Sequence, residues 1–307
     1  MNSADHIRNY RQIILSWVIL CFSYIVSLGI PFLFLPIPED FKANLPRNGL
    51  IPGPFDLVFN SVVCSTLVLW LVKRSAYSGH KLFLQVFLPL FFVQTFQTQI
   101  ETAYFIDAFK LLKGNFEVYL LFLRGAVSSA IFAGITLLIK NKIIKHSLPD
   151  ARFDVPTDRI IKKSLWLGFV YFVLYLLFGY FVAWQSSHVR AFYGGPEKLN
   201  SFFDQIRIFL IDKPELPFFQ YCRGLLWILS LIPIFKGFTG SRNELLILSA
   251  LFLGLIPTAQ LVYPNPLMPN EVSAFHFAEV AISNGIFGIL TALLIPVKKR
   301  RTETASD

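Results

Sequence analysis

Four ionisable residues lie inside apolar stretches of this chain: Arg124, Arg223, His276 and Glu279. A charged side chain at the centre of a membrane helix costs about 2.5–3.5 kcal/mol on insertion scales. Such residues therefore turn toward a bundle interior and toward one another. The three stretches that carry them begin near Glu117, Glu215 and Glu271, and Arg124, Arg223 and Glu279 follow seven or eight positions later. At the helical rise per residue this spacing predicts one shared level, about 10–12 Å in. His276 stands one turn before Glu279 on the same helix face, and Ser283 extends that face. A neighbouring stretch adds a polar stripe of Gln94, Gln97, Thr98, Glu101 and Tyr104 at helical spacing.

These residue types point to an anion site. Arginine presents a planar fork of donors that suits phosphate or carboxylate. Arg124 and Arg223 would hold the anion, Glu279 and Glu101 would orient them, Gln97 would add a neutral contact, and His276 would exchange protons. The leading expectation is a carrier or permease for an anionic small molecule or a lipid head group. The alternative is a membrane-embedded enzyme acting on an outer-leaflet, lipid-linked substrate, with His276 and Glu279 as its acid–base pair. A third reading is a non-catalytic assembly or accessory protein. In it the polar layer is packing, worth about 0.6–2 kcal/mol per contact, and a protein partner docks on an outer loop.

No cofactor or metal is expected. Zinc needs three or four protein ligands. Of five histidines only His188 and His276 fall on the outer side, and only His276 lies within an expected span. No HExxH or GxSxG pattern occurs. Cys21, Cys64 and Cys222 lie in separate apolar segments and form no CxxC pair, which predicts neither a disulfide framework nor a thiolate site.

The elements that position these groups follow from composition. The chain is 54% hydrophobic and only 15% charged, against roughly 25% in soluble domains. Several apolar runs reach the length of about 20 residues that a helix needs to cross a bilayer. The pattern predicts an all-α, polytopic transmembrane bundle forming one domain over 1–307, with about eight spans. These lie at roughly 12–35, 55–72, 82–105, 116–139, 161–184, 216–235, 244–262 and 272–297. The first resembles an uncleaved anchor more than a signal peptide. With the N-terminus inside, the inner segments hold more than twice the lysines and arginines of the outer loops. That bias places both termini in the cytoplasm and the protein in the plasma membrane as a multi-pass protein. It also accounts for the net charge of +9 without a nucleic-acid partner.

Two loops have substance. The basic inner loop 140–163 reads as an ordinary positive-inside segment closed by a Thr157–Asp158 helix cap. In the outer loop, a turn at Gly194, Gly195 and Pro196 opens an expected interfacial helix over 196–212. Leu199, Phe202, Phe203, Ile206, Phe209 and Leu210 line its apolar face. This helix could brace the membrane surface or cover a cavity. Polar residues concentrate in the outer half of the spans, which predicts a cavity open outward and closed below.

Overall fold

The computed structural model describes residues 3–112, 114–142, 151–295 and 298–301. Within a bilayer every backbone polar group must find its partner inside the segment, which only helices and closed barrels achieve. The chain takes the helical solution. Its long helices are α1 (Ser3–Gly29), α2 (Phe55–Lys73), α3, α4 (Asn115–Lys142) and α5 (Thr157–Phe181). Two shorter ones follow, α6 (Ser187–Phe192) and α7 (Phe202–Asp212). The chain then builds α8 (Leu216–Gly237), α9 (Arg242–Ala259) and α10 (Asn270–Leu294). Helix α3 is composite. It runs as Gly79–Phe91, passes through a π-helical segment Phe92–Phe96, and ends as Gln97–Tyr104.

Seven helices among the described residues are long and apolar enough to cross a membrane. Helix α3, interrupted by its π segment, brings the bundle to eight. Large apolar side chains face outward along most of them. Phe22, Tyr119, Phe169, Leu229 and Ile247 are all exposed. On a soluble protein these would be sticky patches; against lipid they meet a matching solvent.

The eight long helices form a closed ring in the order α1–α4–α3–α8–α5–α10–α9–α2, each packed on the next and α2 packed back on α1. Helix α3 does not stay in its place in the ring. Above Pro89 its π segment crosses inward and also packs on α9. A π turn leaves carbonyls without their usual helical partners. Here the Gln94 carbonyl accepts from Gln260 Nε2 at 2.8 Å and from Thr98 Oγ1 at 3.1 Å. Helix α3 thus divides the bundle, and the α5–α8–α10 side is left open at one end.

Two crossings depend on missing side chains. A β-carbon at Gly288 would lie 2.4 Å from the Ser249 carbonyl oxygen, so α9 and α10 can touch backbone to backbone. A β-carbon at Gly224 would lie 2.7 Å from Tyr171 Cβ, where α8 crosses α5.

The end of the bundle that carries the two termini is tied by polar contacts. Lys140 is fully buried and its Nζ donates to the carbonyls of Ser75 at 2.9 Å and Tyr77 at 2.8 Å. Ser241 and Glu244 form a capping box on α9, and Arg74 Nε donates to Glu244 at 2.9 Å. A short antiparallel pair, β1 (Ala151–Asp154) with β2 (Lys298–Arg301), joins the inner loop to the segment after α10. All three cysteines are free.

Two local expectations change. Helix α5 starts at Thr157 itself, after Pro156, with no side-chain cap. In the long outer loop the Gly–Gly–Pro turn opens no helix. The helix begins at Phe202, where the Ser201 hydroxyl accepts from the Asp204 amide, and a separate turn of helix, α6, precedes it. Part of loop 140–163 lies outside the described residues.

Candidate functional site

The end of the bundle opposite the termini, here the distal end, holds a cavity of about 900 Å³. Upper α3, α5, α8 and α10 wall it, and α7 lies across it. Ile206, Phe209 and the buried Gln205 turn toward the cavity, while Phe203 and Ile211 point away and are exposed. This keeps only part of the division the sequence predicts: Ile206 and Phe209 face inward as expected, but Phe203 and Leu210 are exposed and Gln205 takes an inner place. Trp184 packs edge-on against Phe209, and Phe181 stacks on Phe202, which fixes α7 to the end of α5. The walls are largely aromatic, with Tyr171, Tyr175, Tyr180, Trp184 and Tyr193 among them.

One ion pair crosses the cavity floor. Arg223 on α8 meets Glu101 on α3 with two parallel contacts, Nη1 to Oε1 at 2.7 Å and Nη2 to Oε2 at 2.8 Å. The guanidinium also donates to Gln220 Oε1 at 2.9 Å and to the Gln97 carbonyl at 3.3 Å. Gln97 returns a bond from its Nε2 to the Arg223 carbonyl at 3.1 Å. The side chain of Arg223 is 5% exposed and that of Glu101 is 33% exposed. The carboxylate therefore faces the cavity while the cation sits behind it. Gln97 does not line the cavity; it is fully buried and braces the arginine.

A second polar unit stands on α10. His276 Nδ1 and Glu279 Oε2 lie 2.8 Å apart, and His276 Nε2 meets the Tyr193 hydroxyl at 3.1 Å. Burial pushes the Tyr193 phenol well above its ordinary pKa, reinforced by the negative charges of Glu101 and Glu279. The phenol keeps its proton and can donate it. In the neutral imidazole this fixes the tautomer: Nδ1–H donates to Glu279, and Nε2 accepts from Tyr193.

The structure brings together Arg223, Glu101, Gln97, His276 and Glu279 at one end of the bundle. It does not bring Arg124 to them. That guanidinium is buried beside the last turn of the first span, where it donates to the Pro36 carbonyl and lies 4.9 Å over the Phe32 ring. Equal depth on paper does not imply a common facing direction. Helix α4 turns Arg124 toward α1, away from α8.

From the sequence Arg190, beside Phe192, Tyr193 and two glycines, reads as part of a docking face for a partner; the structure gives it an internal role. It is 7% exposed and faces no carboxylate among the described residues. Instead it donates to four backbone carbonyls: Trp184 at 2.6 Å, Gln185 at 3.2 Å, Pro196 at 3.1 Å and Glu197 at 2.9 Å. It thereby folds the outer loop around itself and holds Tyr193, three residues on, against His276. Carbonyl partners leave no signature in a sequence; the only hint is an arginine beside an aromatic pair and two glycines. No protein family, curated protein or solved structure matches the chain.

Proposed function

We propose that the chain is a membrane-embedded enzyme that takes the head group of an amphiphile into the distal cavity and exchanges a proton with it through His276. In this reading the distal end faces outward from the plasma membrane, and the substrate comes from the outer leaflet. The observation that carries it is the His276–Glu279 dyad. A carboxylate 2.8 Å from Nδ1 orients the ring and leaves Nε2 at the cavity wall. That is the arrangement of a general base, with Tyr193 occupying the place of a substrate hydroxyl. An apolar, aromatic wall around a few convergent polar groups suits a ligand with a lipid portion.

Two observations favour chemistry over passage. Toward the termini the bundle is filled by Leu231, Phe235, Leu248 and Phe252, all fully buried. Arg223 already has both terminal nitrogens on Glu101, which supports a neutral pair in place of the two-arginine anion clamp the sequence predicts.

The test is to reconstitute purified protein in nanodiscs with a total membrane lipid extract and follow lipid conversion by mass spectrometry. His276→Gln should lower conversion by a factor of about 100 or more without loss of folded protein. Flux of an unaltered solute into sealed vesicles, with no lipid converted, would make it a carrier. A copurifying protein with neither activity would make it an assembly factor.

A further inference from the structure

Among the described residues, one amide lining the cavity makes no hydrogen bond at all. Asn284 lies on α10 below Glu279, is 3% exposed and lines the cavity, and makes no hydrogen bond to any described residue. Ser283 beside it and the Tyr175 hydroxyl across from it line the same space, also without partners among the described residues. The Asn284 amide is not sealed in protein: it opens onto the cavity, where only a ligand or water can satisfy it. Asn284 can offer two donors and an acceptor oxygen. By contrast, every buried charge at this level is already answered. Glu101 is held by Arg223 through two contacts, and Glu279 is held by His276. Lys110 and Lys213 also line the cavity, but at its distal mouth, where Lys213 lies 4.7 Å over the Phe105 ring just past the end of α3, whereas Asn284 stands about 20 Å down α10.

We infer that the head group bound here is uncharged and rich in hydroxyls, a sugar or similar polyol, and that Asn284 and Tyr175 are the residues that read it. This rests on the amphiphile reading above and narrows it. Hydroxyls match an amide that both donates and accepts. Aromatic faces such as Tyr175 and Tyr193 suit the apolar face of a sugar ring. A phosphate at this depth would meet two carboxylates and no free cation. A quaternary ammonium would leave the amide unpaired.

The experiment uses the full chain in nanodiscs and three probes with the same tail: octyl glucoside, octyl phosphate and octyltrimethylammonium, all below their micellar concentrations. Trp184 lines the cavity, so tryptophan fluorescence reports occupancy. Octyl glucoside should bind tightest, with octyl phosphate about tenfold weaker or worse. Asn284→Ala should weaken octyl glucoside by about tenfold, and Tyr175→Phe by about threefold, while neither weakens the other two probes. If Asn284→Ala does not fold, Tyr175→Phe decides alone, because it removes only a hydroxyl. Tighter binding of either charged probe, or unchanged glucoside affinity in a folded variant, overturns the sugar assignment and leaves the amphiphile reading standing. Failure of all three probes to bind overturns both.

Discussion

The Arg223–Glu101 pair is unequal, and that inequality can be measured. Arg223 is nearly sealed, with 5% of its side chain exposed, whereas a third of Glu101 borders the cavity. Glu101→Ala leaves a desolvated guanidinium with two weaker acceptors, Gln220 Oε1 at 2.9 Å and the Gln97 carbonyl at 3.3 Å. Removing one partner of a buried pair costs about 3–5 kcal/mol. Because those two acceptors remain, the lower end applies, about 3 kcal/mol. Arg223→Ala leaves a carboxylate that cavity water can reach. The cost should then be closer to that of losing a charged hydrogen bond, about 1.5–2 kcal/mol. The double variant should recover part of the Glu101→Ala loss, giving a coupling of at least about 1 kcal/mol. Equilibrium unfolding in mixed micelles, with all four proteins of the cycle, gives these numbers. If Arg223→Ala proves as costly as Glu101→Ala, or if the coupling falls below about 0.5 kcal/mol, the reasoning from exposure fails.

Other outcomes follow from the same geometry. Arg190→Ala removes the donor to four carbonyls and should open the outer loop to protease cleavage between 184 and 201, while Arg190→Lys recovers only part of the protection. Gly288→Leu places a side chain where a β-carbon already meets the Ser249 carbonyl, so it should separate α9 from α10 and lower thermal stability in detergent by several degrees. Tyr193 keeps its proton in the fold while the unfolded phenol ionises near pH 10. Its contribution to stability is therefore complete below about pH 10 and is lost as pH rises further. The stability difference between wild type and Tyr193→Phe should be constant up to about pH 10 and shift above it, which unfolding curves at stepped pH would check.

Much of the bundle is legible because membrane spans need only length and hydrophobicity. The meeting of Arg223 with Glu101, and of His276 with Glu279, is also readable, since intramembrane charges seek partners and an i, i+3 spacing fixes a face. What failed to read is direction around the helix axis. Arg124 follows its glutamate by seven positions against eight for Arg223 and has the same following glycine, yet its partners are a carbonyl and a phenyl ring that no pattern announces. The start of α7 was legible. Ser201 three residues before Asp204 is an N-cap signature, and the Gly–Gly–Pro turn drew the boundary too early. The role of Arg190 was not, because backbone oxygens are the same in every sequence.

The π segment of α3 adds a residue to one turn without lengthening the span. Everything above it, Glu101 included, is thereby offset in angular phase from the ladder that Gly79–Phe91 sets up. Were 92–96 wound as a regular α-helix with every residue kept, the upper part would swing by about 100°. The carboxylate that meets Arg223 would then point elsewhere, with every side chain of the pair still present. The position of this acid is thus set by the local winding of the helix as much as by its chemistry. A chain one residue shorter at this point would close the wide turn and keep its chamber, whereas the same loss within Gly79–Phe91 would rotate the acid away.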